Sequence, residues 1–309
     1  MNNLFDKKES WGKRKRKSQQ DKALAEMVQL GYEKSEHVKA MLDAHKINPA
    51  NIKTREDLLC LPVTSREKLV EMEQLDPPYA GLENSDVPVD RIFTSPGPVY
   101  EPHLSETDYL WARAFHAAGI GPEDIALNAF SYHLVAAGLT FHNGLRKVGA
   151  TVVPSGSSSS QIQVQLIKDL KVTAYAGTPS FLKAIIDKSK ELGFDFRRDF
   201  LVKKACFAAE PLLPDLRRSF ETEYGIDTYQ MYGATEVVDV AYECSEKKGW
   251  HICEETIVEI VDPATGKNVP DGELGEVVVT RLNNIFFLLR FGTGDLSRLI
   301  TEACPCGRT

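Results

Sequence analysis

From Arg91 to Tyr224 short apolar runs alternate with amphipathic ones, and this alternation constrains the fold more than any other feature of the chain. Ile92-Phe93-Thr94, Ile125 to Phe130, Ala150 to Val153, Val172 to Ala176 and Lys203 to Ala208 read as strands. Between them, Ser105 to about Ala118, Ala136 to Lys147, Gln161 to Leu170, Thr178 through Ser189, and Pro211 to Tyr224 carry apolar residues at helical spacing. Successive strands joined through helices return to the sheet parallel to one another. The pattern therefore predicts an α/β body with layered, largely parallel sheets.

The flanks differ in texture. Asp21 to His45 is helical by the spacing of Leu24, Met27, Val28, Leu30, Val38, Met41 and Leu42, with Gly31 expected to interrupt or turn it. Thr54 is placed to cap a short helix through Leu59, with Asp57 giving a partial capping box, and Ser65 to cap the next. Pro77-Pro78 and Pro88 mark a boundary. After Gly249 come a strand (Ile257 to Val261), a turn (Asp262 to Lys267) and another strand (Val277 to Thr280), which predicts a β-rich terminal subdomain. The division expected is 1–90 helical, 91–249 α/β body and 250–309 β-rich.

Net charge of -7 argues against nucleic acid or an anionic membrane as the main partner. The exception is Lys13-Arg14-Lys15-Arg16-Lys17 after Lys7-Lys8. Such a run can hold phosphate or lie solvated, and with no aromatic residues interleaved the solvated arm is the expectation. The start is too charged for a secretion signal, and the apolar run Ile285 to Leu289 stops at Arg290, far short of a membrane span. A cytoplasmic protein with reduced cysteines is expected.

Several short segments recur in an informative order: Gly177-Thr178-Pro179-Ser180, Phe207-Ala208-Ala209-Glu210-Pro211, Tyr232-Gly233-Ala234-Thr235-Glu236, Gly272-Glu273-Leu274-Gly275-Glu276 and Arg290-Phe291-Gly292-Thr293-Gly294-Asp295-Leu296. Together they resemble the phenylacetate-coenzyme A ligase branch of the adenylate-forming (AMP-binding) enzymes. The resemblance covers most of the chain and is vaguest before Pro62. It implies ATP-dependent activation of an aromatic or hydrophobic carboxylic acid to an acyl-AMP, followed by transfer to coenzyme A. It also implies an adenylate-forming N-terminal region of several subdomains, and a modest expectation of a homodimer.

By that resemblance Ala208 to Pro211 line the adenine side, and Tyr232 packs beside the base. Gly233 and Ala234 allow close approach, Thr235 meets the α-phosphate and Glu236 holds magnesium. Asp295, beyond a Gly-Thr-Gly turn, would accept hydrogen bonds from the ribose hydroxyls. Arg290 either holds an anion or pairs with a structural acid, and Glu210 either serves the loop or caps a helix at Pro211. Phe130, Tyr132, His133, Ala137 and Gly138 align with the acyl pocket, Tyr132 and His133 being the pair whose polar tips could orient a carboxylate.

The segment Thr94 to Pro102 fits the phosphate loop by position, with Thr94, Ser95 and Gly97 as contacts. It departs from the family in carrying Pro96 and Pro98, which donate nothing, and in having no lysine at its end. A looser grip on the β- and γ-phosphates follows. Cys244, His251, Cys304 and Cys306 make a closed Cys3His set of the kind that holds structural zinc, and relatives of this branch carry a similar late cluster. The resemblance further implies a small mobile C-terminal domain with a lysine used in adenylation, to which nothing here corresponds. Retained AMP binding with poor ligase turnover is the resulting expectation. The competing expectation is a non-catalytic nucleotide-binding or scaffold protein of the same fold.

Overall fold

The computed structural model describes residues 4–95, 99–104 and 110–309. Contacts divide the chain into two units, one of Met1–Asp6, Glu106–Gly233 and Ala241–His251, the other of Lys7–Ser105, Ala234–Val240 and Ile252–Thr309. The helices are α1 (Lys13–Lys34), α2 (Glu36–Ala44), α3 (Arg66–Leu75), α4 (Ala112–Ala117), α5 (Ala136–Lys147), α6 (Ser160–Asp169), α7 (Pro179–Glu191), α8 (Phe196–Asp199) and α9 (Pro214–Arg218). The strands are β1 (Thr64–Ser65), β2 (Arg91–Ser95), β3 (Val99–His103), β4 (Ile125–Asn128), β5 (Thr151–Val153), β6 (Ala174–Gly177) and β7 (Lys204–Phe207). They continue as β8 (Asp227–Ala234), β9 (Val238–Glu243), β10 (Trp250–Ile252), β11 (Thr256–Val261), β12 (Gly275–Arg281) and β13 (Phe291–Ser297). No helix among the described residues is long and apolar enough to cross a membrane.

The first unit is built on a seven-stranded sheet in the order β10-β9-β8-β7-β6-β4-β5. Its β4–β5, β4–β6, β6–β7 and β7–β8 pairs are parallel, as the strand–helix alternation predicts. Every residue of β6 is buried, as expected of a strand covered on both faces. Val164 and Ile167 of α6 and Leu182, Ile185 and Ile186 of α7 pack with Leu127, Tyr175, Ala205 and Phe207 in one core. Each such aliphatic side chain contributes roughly 1.5–3 kcal/mol on burial. Residues 105–109 of the helix expected from Ser105 lie outside the described residues, and the helix expected at Pro211 begins at Pro214. Leu212 is held out of it by donating its N–H to Gln230 Oε1 at 2.9 Å.

The second unit carries a four-stranded sheet, β1-β13-β12-β11, antiparallel except where β1 joins β13. The helical front and the β-rich tail, far apart along the sequence, share one core. Leu24, Met27, Val28, Val38 and Leu42 pack with Ile257, Phe287 and Leu289. The expected break at Gly31 falls at Ser35, whose hydroxyl caps α2 through the Val38 N–H. Gly31 instead serves a close approach, since a Cβ there would lie 3.3 Å from the Phe287 ring.

The basic run is part of α1 rather than an arm. Arg16 donates to the carbonyls of Thr309, Ile252 and Cys253, Lys13 donates to Thr301 O, and Lys17 pairs with Asp21 and Glu56. β3 was not expected because Pro102 reads as loop. It is tolerated because β2 and β3 form a two-stranded sheet in which each strand is an edge.

Candidate functional site

In the first unit β7 ends at Phe207, opposite Gln230 of the parallel strand β8. Ligands in α/β sheets bind beyond such carboxyl ends. The segment after β7 is Ala208 to Pro211, where Ala209 adopts a left-handed φ of 71°, a strained value for a residue with a Cβ. Glu210 does not cap a helix at Pro211, since α9 begins at Pro214. Its Oε1 accepts the Ser180 N–H at 2.6 Å, satisfying a free donor in the first turn of α7. Thus Glu210 ties the Thr178-Pro179-Ser180 turn to the loop.

A network missed in the sequence holds the loop on its other side. Gln230 receives Leu212 N–H, Glu243 Oε2 accepts Gln230 N–H at 2.7 Å, and Arg217 Nη2 bonds both Glu243 oxygens at 2.8 Å. Tyr232, two residues before the end of β8, lies parallel to Trp250, with centroids 5.3 Å apart and planes 18° apart.

The expected acyl-pocket residues are also in this unit, and their roles separate. Phe130 is buried against Phe141, which also touches Trp111 and Phe115, so it belongs to an aromatic core. Of the Tyr132 and His133 pair, His133 is exposed and Tyr132 half-buried. Tyr132 Oη receives Asn128 Nδ2 at 2.8 Å and lies 3.1 Å from His142 Nδ1. Burial pushes the Tyr132 phenol up to about 12 and lowers the His142 imidazole, with Arg146 adding to the latter. Asn128 also donates to Gly138 O at 2.9 Å. Gly138 is required there, as a Cβ would sit 2.2 Å from Ser131 O, and Ala137 is half-buried. Asn128, a polar residue ending an apolar strand and fully buried, was the available sequence signal for this network.

In the second unit, Thr235 and Glu236 occupy the turn before β9, closed by Val237 N–H to Ala234 O. The Glu236 side chain is 0% exposed, and neither of its oxygens accepts a hydrogen bond from a described residue. Its charge partner is Arg66, whose Nε lies 3.3 Å from Oε1. Arg66 directly follows β1, and β1 pairs with β13 through Ser65 and Gly292. Three residues further along β13 comes Asp295, roughly 10 Å on at strand spacing. Asp295 is exposed, its N–H bonded to Thr293 Oγ1. The expected Gly-Thr-Gly turn is a strand, β13, with a positive φ at Gly294.

Two further buried carboxyls face Glu236. Burial first, and then the Glu236 charge, push Glu101 up to about 8. Burial also pushes Glu73 up to about 7, with Glu236 again adding, against the Tyr100 N–H that Glu73 accepts at 2.7 Å. A buried carboxylate with unused lone pairs is a ligand of the kind a hard cation takes. Thr94 and the buried Ser95 lie on β2, and Gly97 lies outside the described residues.

Arg290 is fully buried. It bonds both Glu259 oxygens at 3.1 and 3.0 Å, Leu61 O at 2.6 Å and Gly266 O at 2.7 Å, so of its two expected roles the structural pairing is the one formed. Cys244, His251, Cys304 and Cys306 each offer a ligand atom, and these atoms all lie within 4.8 Å of one another. That donor chemistry fits zinc.

A family model described as AMP-binding enzyme matches residues 104–285. The phenylacetate-coenzyme A ligase of Thermus thermophilus is 30% identical over 97% of this chain and 69% of its own length. That of Pseudomonas putida is 34% identical over 82% of this chain and 60% of its own length. The chain thus spans about two thirds of the curated relatives it matches. An open-conformation crystal structure of 2-hydroxyisobutyryl-CoA ligase, in complex with 2-HIB-AMP and CoA, covers 98% of this chain and 69% of its own. Its TM-score is 0.89 at 23% identity, a likeness of fold.

Proposed function

This chain belongs to the AMP-binding enzyme family, and from that premise we propose that it activates a carboxylic acid, aromatic or hydrophobic, with ATP to an acyl-AMP and passes the acyl group to coenzyme A. The observation that carries the reading is Glu236, whose carboxylate is buried without a hydrogen bond from any described residue. Arg66 offsets part of that charge from 3.3 Å, and the unused lone pairs suit a further cation.

In this reading the backbone of Ala208 and Ala209 reads the adenine edge and Tyr232 covers the ring. Asp295 accepts hydrogen bonds from the ribose hydroxyls, and Thr235 donates to an α-phosphate oxygen. Glu236 would hold magnesium, which supplies charge neutralisation on the phosphates when bound. The substrate carboxylate attacks the α-phosphorus, the bond to the bridging oxygen breaks, and pyrophosphate leaves. Tyr132, braced by Asn128 and His142, orients the acid. Cys244, His251, Cys304 and Cys306 would hold a structural zinc with no open coordination position. Such thiol ligands suit a reducing compartment, and we place the protein in the cytoplasm, as a homodimer.

A second reading, a nucleotide-binding protein without turnover, is favoured by the Thr94 to Pro102 segment, which has two prolines and no lysine. Screening aromatic and aliphatic acids for ATP-dependent pyrophosphate release, with and without coenzyme A, decides between them. Release that depends on one class of acid supports the ligase. ATP binding with no acid-dependent release in any case supports the second reading.

A further inference from the structure

Trp250 is 41% exposed, an unusual place for an indole on a three-residue strand at the sheet edge. It does not fill a core. What it does is lie parallel to and offset from the Tyr232 ring, at 5.3 Å and 18°. Offset parallel stacking is a favoured aromatic geometry, worth a factor of about two to ten in an equilibrium. The neighbouring His251 ring contacts Tyr242 of β9 at 5.9 Å, which steadies the strand that carries the indole.

We propose that Trp250 is a positioning residue for the nucleotide base, holding the Tyr232 ring in the orientation that a planar purine meets. The inference rests on the reading of Tyr232 as the residue beside adenine, and extends it to a residue with no role so far. Tyr232 lies two residues before the end of β8, half-buried, with rotamer freedom that a neighbouring ring can restrict. Stacking on Trp250 removes that freedom before the ligand arrives, so less ordering is lost on binding. The offset leaves part of the indole face uncovered and parallel to the phenol, a second flat surface beside the one offered to the base.

The test measures AMP binding by calorimetry and by tryptophan emission in the wild-type chain, Trp250→Phe and Trp250→Ala. Subtracting the Trp250→Phe spectrum isolates Trp250 from Trp11 and Trp111. AMP should change the Trp250 emission. Trp250→Ala should weaken AMP binding about three- to tenfold with an unchanged unfolding midpoint, and Trp250→Phe, which keeps a ring for stacking, should restore most of the affinity. AMP binding to Trp250→Ala as tight as wild type, or a Trp250 emission indifferent to saturating AMP, overturns the inference. Failure of the wild-type chain itself to bind AMP overturns the nucleotide reading beneath it.

Discussion

Glu101 shows how a single side chain carries the electrostatics of this protein. It is 6% exposed, and its carboxyl is pushed from an ordinary 4.5 up to about 8 by burial and by the charge of Glu236. The folded state therefore keeps a proton that the unfolded chain releases above about 4.5. Stability from this group is full below that pH, falls as pH rises toward 8, and is flat beyond. A tenfold change in an ionisation constant is worth about 1.4 kcal/mol, so the whole effect is at most a few kcal/mol. In Glu101→Gln the neutral amide removes the titration. Denaturant unfolding at pH 5 and pH 8 should show the wild type losing about 2 kcal/mol more than the variant between the two. Equal losses would mean that Glu101 ionises normally. None of this was legible in the sequence, where Glu101 sits in a Pro-rich stretch that reads as a loop. Its burial follows from the Phe93–Glu101 register of β2 and β3.

At the scale of elements, the strands of the parallel sheet were legible because burial on both faces leaves them as apolar runs. Among the elements missed were two whose local chemistry misleads: β3 with its Pro102, and β13 with its two glycines. The Ala208 to Pro211 loop was picked out by its residues, but what holds it was not, since Arg217, Gln230 and Glu243 meet only in the folded sheet. Glu243→Ala leaves the Arg217 guanidinium and the Gln230 N–H without their buried partner. Removing one member of such a pair costs about 3–5 kcal/mol. Urea titration should find a loss of at least about 2 kcal/mol, while a loss of a few tenths would show the network to be incidental. The polar partner of Tyr132 was hidden for a related reason. Adjacent residues in an extended or turning segment point apart, and the imidazole that reaches Tyr132 comes from α5.

For the whole molecule, segments far apart in sequence were legible as belonging together only through motifs. The core that unites Leu24 and Val28 with Ile257 and Phe287 gave no such sign, because apolar periodicity names a buried face but not its partner. The four candidate metal ligands were grouped in the sequence by their chemistry, since three thiols with an imidazole suit zinc. One zinc per chain should survive dialysis against a weak chelator, and Cys304→Ser with Cys306→Ser should release it. Metal analysis that finds none in the wild-type chain removes the site.

The most direct test of the central reading is the magnesium dependence of ATP affinity, measured by calorimetry in the wild-type chain and in Glu236→Gln. If the buried Glu236 carboxylate holds the metal on the phosphates, wild type should bind ATP at least about tenfold more tightly with magnesium than with chelator, and the variant about equally in both. The same magnesium dependence in both proteins would contradict it.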